Sequence, residues 1–130
     1  TEETLIEMMS ASANGLGVDD VPDGEYATMS GGFITTLPAG WIFKLWAVDW
    51  FLLFNWHPRI GAETSPIVSH FFWSGSSSTG SLRGIPGVPI ATYQREIPSR
   101  IVIYAQNQSG STQSLLPPSA VHIKYTIEEA

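Results

Sequence analysis

The sequence predicts an all-β domain, an antiparallel sandwich or barrel, and three observations predict it. Short apolar runs recur at roughly regular intervals, separated by breaks rich in glycine, proline and serine. Charged residues make up only 14% of the 130 positions, while 12 glycines and 9 prolines supply turns. The last run alternates cleanly, with Val121, Ile123, Tyr125 and Ile127 on one side and His122, Lys124 and Thr126 on the other.

Taken in order, the opening TEETLIEMMSASANG reads as a short helix. Thr4 and Glu7 have capping-box spacing, Leu5, Met8 and Met9 share a helical face, and Asn14-Gly15 is a natural stop. A helix this short is marginal alone in water, so it has to dock on something. The turn-rich GLGVDDVPDGEY follows. Residues 1–20 therefore read as an N-terminal arm, and 21–130 as the β-sandwich domain.

Within that domain the expected strands cover Tyr26–Met29, Gly32–Leu37, an aromatic run at 41–56, Ile67–Trp73, Ile90–Tyr93, Ile101–Gln106 and Ala120–Ile127. NWHPRIG reads as a break after the aromatic run, and SGSSSTGS and NQSGSTQSLLPPS as polar loops. RGIPGVPI, stiffened by Pro86 and Pro89, reads as an extended connection outside the ladders.

The aromatic run WIFKLWAVDWFLLFNW holds four of the five tryptophans. The stretch Leu37–Trp56 is about the length that spans a bilayer, but Lys44 and Asp49 lie inside it, each costing roughly 2.5–3.5 kcal/mol at mid-membrane. No transmembrane segment is expected. Read as a strand, strict alternation puts Ile42, Lys44, Trp46, Val48, Trp50, Leu52, Phe54 and Trp56 on one face, and Trp41, Phe43, Leu45, Ala47, Asp49, Phe51, Leu53 and Asn55 on the other. Both faces are mostly apolar, so both should be covered. A bulge near Asp49 is the other way to read the pattern.

Charge is uneven. Residues 1–25 carry seven acids and no base, while the six bases all lie between 26 and 127, with no basic cluster. Sequence-specific nucleic-acid binding is not expected. With no cysteine, a disulfide scaffold, a thiolate metal site and a cysteine nucleophile are excluded. His57, His70 and His122 lack metal-ligand spacing, and no HExxH or GxSxG motif occurs. Asp19, Asp20, Asp23 and Glu25 are acidic enough for calcium but do not follow an EF-hand pattern, and an acidic turn is the simpler reading. No cofactor, metal or catalytic group is expected.

The whole pattern resembles a single jelly-roll virion protein, a capsid or capsid-associated subunit. An arm with TLIEMMSA precedes LPAGW and the aromatic strand, a Ser/Gly loop follows IVSHFFW, and RIVIYAQNQSGSTQS leads to the closing strand VHIKYTIEEA. The resemblance implies a jelly-roll-like antiparallel β-sandwich with a short N-terminal helical arm. It further implies self-assembly with copies of itself and other virion proteins, located in the virion. Its acidic arm differs from the basic genome-binding arm of many coat proteins. Tiled subunits bury surfaces a monomer leaves wet, and the contacts expected are Leu5, Met8 and Met9 in the arm and Trp41, Trp50, Trp56 and Phe72 in the body. The competing expectation is a carbohydrate-binding β-sandwich module, extracellular or at the cell surface, with tryptophan platforms and Asp49, Asn55 and Arg59 to grip hydroxyls.

Overall fold

The computed structural model describes residues 2–10, 18–52, 55–64, 68–115 and 119–129. Their regular structure is all strand: β1 (Glu2–Ser10), β2 (Val18–Val21), β3 (Tyr26–Leu37), β4 (Ile42–Phe51), β5 (Trp56–Thr64), β6 (Val68–Ser74), β7 (Thr79–Arg83), β8 (Ala91–Gln94), β9 (Ser99–Asn107), β10 (Gln113–Leu115) and β11 (Ala120–Glu128).

Two antiparallel sheets pack as a sandwich. The first runs β1-β11-β4, and the far edge of β4 is shared by β7 along Ala47–Phe51 and β8 along Ile42–Leu45. The second runs β3-β9-β5-β6. A small ribbon of β2 and β10 stands apart. The pairing is nested: β5 with β6, β4 with β7 and β8, β3 with β9, and β1 with β11. The β4–β11 and β5–β9 ladders join these hairpins into the two sheets.

The core lies between the sheets. From the first come Phe43, Leu45, Val48, Trp50, Val121, Ile123 and Tyr125, and from the second Trp56, Ile60, Ala62, Trp73, Ile101 and Ile103. Aromatic edges lock the layers. Trp50 meets Trp73 at 73° with centroids 5.4 Å apart, and Phe43 meets Phe72 at 66° and 5.5 Å. Trp50 also lies over Gly80, where an added Cβ would come within 2.4 Å of the indole, so only glycine fits that point of β7.

The N-terminal helix expected from Thr4 and Glu7 is corrected by the backbone. Glu2–Ser10 is a strand that pairs residue for residue with Ala120–Glu128. A helix of that length closes few hydrogen bonds for its nucleation cost. The edge of β11 offers a nine-residue ladder instead, and leaving that edge bare would expose unpaired backbone groups. A second correction concerns NWHPRIG, which opens β5 in the middle of the second sheet rather than marking a break. Trp56, Pro58, Ile60 and Ala62 are all buried at alternate positions. Pro58 sits near the strand's start, where β6 has not yet begun to pair, so its missing N–H costs little ladder.

One polar residue is fully buried at the end of β9. The Nδ2 of Asn107 donates to the carbonyls of Val21 and Ser111, both at 2.8 Å. Its Oδ1 accepts from the Ser109 N–H at 2.9 Å and the Ser109 hydroxyl at 2.7 Å. Its own backbone bonds Gly24 and Glu25. This knot fixes the 20–25 and 108–111 loops, and every polar atom of the asparagine is satisfied.

Candidate functional site

The aromatic strand decides where functional surface is available. The β4–β11 ladder slips between Leu45 and Ala47, so Trp46 is an extra residue opposite the Lys124–Tyr125 step. A one-residue slip exchanges faces. Before it the odd positions Phe43 and Leu45 are buried; after it the even positions Val48 and Trp50 are. Each face drawn by strict alternation is thus half core and half surface. The bulge lies three residues earlier than the Asp49 position suggested by the sequence.

The outer face of β4 is correspondingly polar. Asp49 and Arg83 form a two-pronged pair at 2.7 and 2.9 Å, and the Ser81 hydroxyl donates to the same carboxylate. The Arg83 guanidinium, then the Ser81 hydroxyl, hold the Asp49 carboxyl below the usual carboxylate range. Lys44 pairs with Glu128. The Trp46 indole N–H donates to the Thr126 hydroxyl at 2.9 Å. Beside it an open groove of about 420 Å³ is lined by Trp46, Arg83, Ile85, Pro86 and Lys124, among others.

That groove is walled by an exposed apolar turn. Ile85-Pro86-Gly87-Val88 is a tight turn in which the Val88 N–H donates to the Ile85 carbonyl at 2.8 Å. Gly87 has φ +80°, the geometry of a type II turn with proline ahead of glycine. Two backbone bonds fix its base to β4, Gly84 N–H to Trp46 carbonyl and Ile90 N–H to Leu45 carbonyl, both 2.7 Å. Ile85 is 65% exposed and Val88 55%, with Leu82 at 43% behind them. At the other end of β8, Ile97 is 51% exposed. There a second groove of about 510 Å³ is lined by Trp41, Gln94, Glu96 and Glu129 with Ala39 and Gly40.

The outer face of the second sheet is a laminate. Tyr26 stacks on Phe71 with centroids 4.6 Å apart, Phe71 meets Tyr104 edge-on at 5.2 Å, and the Arg59 guanidinium lies 5.6 and 5.8 Å from the Tyr26 and Phe71 rings. Arg59 is held by Gln106 at 2.9 Å and Ser74 at 2.8 Å, and the Tyr104 hydroxyl donates to Glu63. His57 is half-buried nearby, and burial, then the charge of Arg59, lower its pKa.

The contact residues expected from the sequence are dispersed. Trp50 and Trp56 are buried in the chain's own core, and Trp41 and Phe72 are half-buried against it. Leu5, Met8 and Met9 have Tyr125, His122 and Val121 as backbone partners, and their side chains lie outside the described residues. Of the residues expected to grip a sugar, Asp49 is paired with Arg83, Asn55 sits in a left-handed turn at φ 65°, and Arg59 belongs to the opposite sheet. Among the described residues no three His, Asp or Glu side chains converge as a metal site. Asp23 instead accepts from the Gly110 N–H at 2.9 Å, tying two loops. The sequence reading missed Ile85, Val88 and Ile97 as surface features. The Pro-Gly pair at 86–87 was the available signal, since it specifies a turn whose flanking side chains point outward. No described helix is long and apolar enough to cross a membrane. Compared with known proteins, the chain matches no family, no curated protein and no solved structure.

Proposed function

We propose that this chain is a structural assembly subunit on a jelly roll, a virion protein of the capsid, vertex or decoration type, that associates with copies of itself. The strand order carries the reading. Count β7 and β8 as one interrupted strand along β4, and set the β2–β10 ribbon aside. Eight strands then run 1-8-3-6 in one sheet and 2-7-4-5 in the other. That order is what a long antiparallel hairpin gives when it is rolled up, and it is the double Greek key that capsid subunits share with lectins and cupins. Exposed Ile85, Val88 and Ile97 add the second support, since rigid apolar surface is what an assembling subunit keeps available.

Light scattering on a sizing column, with electron microscopy of the eluted peak, tests the assembly reading. Regular oligomers or closed particles are the expected result. A 14.2 kDa monomer at high concentration would sink it.

A carbohydrate-binding module is the second reading, favoured by one observation. Tyr26, 40% exposed, lies on a ring stack braced by Arg59, which is the arrangement a sugar ring stacks upon. Glycan titration of the parent and of Tyr26→Ala separates the readings. Saturable binding lost in Tyr26→Ala, with the protein monomeric throughout, selects the module.

A further inference from the structure

We infer that the first association step is a two-fold dimer in which β8 of one copy pairs antiparallel with β8 of another. The inference rests on the assembly reading and names its interface. β8 bonds β4 along one edge, and among the described residues no ladder covers its other edge. An uncovered strand edge is a template for another strand.

What surrounds this edge makes it self-complementary. An exposed apolar group stands on each side of β8, Val88 with Ile85 before it and Ile97 after it. A two-fold axis between Thr92 and Tyr93 sets Ala91 against Gln94 of the second copy. Beyond the strand, the same axis brings the 85–88 turn of one copy to the bend at Ile97 of the other, twice, once on each side of the axis. Three of the large apolar side chains left in water are covered by that single operation.

Charge follows the same exchange of ends. The groove beside Ile85 is lined by two cations, Arg83 and Lys124, and by no acid; Arg83 already holds Asp49. The grooves at the other end, beside Gln94 and Ile97, are lined by Glu96 and Glu129 and by one base, Arg95. Arg95, next to Glu96, leans over the Tyr93 ring. Turning one copy about the axis carries the Arg83 end of one copy toward the Glu96 end of its partner, which favours this orientation over a parallel one. The turn at 85–88 is already rigid, so little order is lost when it docks.

The chain has no cysteine, so thiols introduced at these positions are the only ones present. Val88→Cys and Ile97→Cys are made separately, both at exposed sites, and their fold is checked by circular dichroism. Oxidised as an equal mixture, they are expected to give a disulfide-linked dimer at least ten-fold more abundant than either variant alone, because a disulfide needs Cα atoms within about 7 Å. Equal linking in the single variants, or none in the mixture, overturns the arrangement. In sedimentation, Glu96→Lys is expected to weaken the dimer about ten-fold. A Glu96→Lys protein that dimerises like the parent also overturns the end-to-end arrangement. Mass of the parent chain separates the two levels. An assembling parent whose cysteine mixture fails to link removes this interface alone; a monomeric parent removes the assembly reading with it.

Discussion

β4 and the turn at 85–88 lie side by side, joined by backbone bonds at Leu45 and Trp46, and they treat apolar side chains in opposite ways. β4 carries four aromatic residues and hides two of them, Phe43 and Trp50, between the sheets. The turn has no aromatic residue and holds Ile85 and Val88 more than half in water. Apolar content alone therefore does not locate an interface. What locates it is the bookkeeping of faces: β4 changes parity at Trp46 and turns Trp50 inward, while a Pro-Gly turn has no inward face to offer.

The contrast can be broken at several strengths. Trp56→Ala is the most severe test of the core side. Trp56 is fully buried, and its truncation is expected to cost about 3–5 kcal/mol, enough to unfold a marginal domain. Urea unfolding measures it, and a loss below about 1 kcal/mol would mean the sandwich interior is not packed as described. Asn107→Ala comes next, at about 3 kcal/mol, because it strands the Val21 and Ser111 carbonyls beside the knot. Its melting temperature should fall well below that of Ser109→Ala, which removes a single hydroxyl.

Gly80→Ala is expected to cost about 1–3 kcal/mol through overlap with the Trp50 ring. Combined with Trp50→Leu the penalty should shrink, and strict additivity of the two changes would show that they do not touch. Ile85→Ser with Val88→Ser stands at the opposite pole. The pair should leave thermal stability within about 0.5 kcal/mol yet lower the apparent mass in solution, a separation no core position can give.

The smallest effect concerns Asp49. Its folded pKa lies below the ordinary 3.8, so its contribution is present above that value and is lost as pH falls through the folded pKa. The pair with Arg83 is largely exposed and screened by solvent, so its contribution is small. Asp49→Asn should melt slightly below the parent at neutral pH, and the two curves should converge at pH well under 3.8.

Much of the sandwich was legible because strand periodicity is local. The alternation at Val121–Ile127 and the apolar run at Ile101–Ala105 need no partner to be recognised. Three features were not legible because each depends on what lies across a ladder. Thr4 and Glu7 satisfy a helix start, and only the edge of β11 overrules them. Pro58 and Gly61 look like breakers, and only the neighbours β6 and β9 make them a central strand. The apolar residues on both faces of the run hint at a bulge but not that it falls at Trp46, since its position is a property of two strands in register. The exposed turn was half legible: Pro86-Gly87 announces its shape, but not that its flanks stay uncovered.

The position of β11 has a consequence for how the protein is made. It is the last of the described strands, yet it sits between β1 and β4 and bonds both. On the ribosome β1 and β4 emerge long before the strand that separates them. Until β11 arrives, both present bare edges, and each can pair wrongly with the other or with a nascent neighbour. Closing the sheet joins Glu2 to Glu128 across nearly the whole chain, so the step is slow and belongs to the millisecond-to-second regime of non-local β folds.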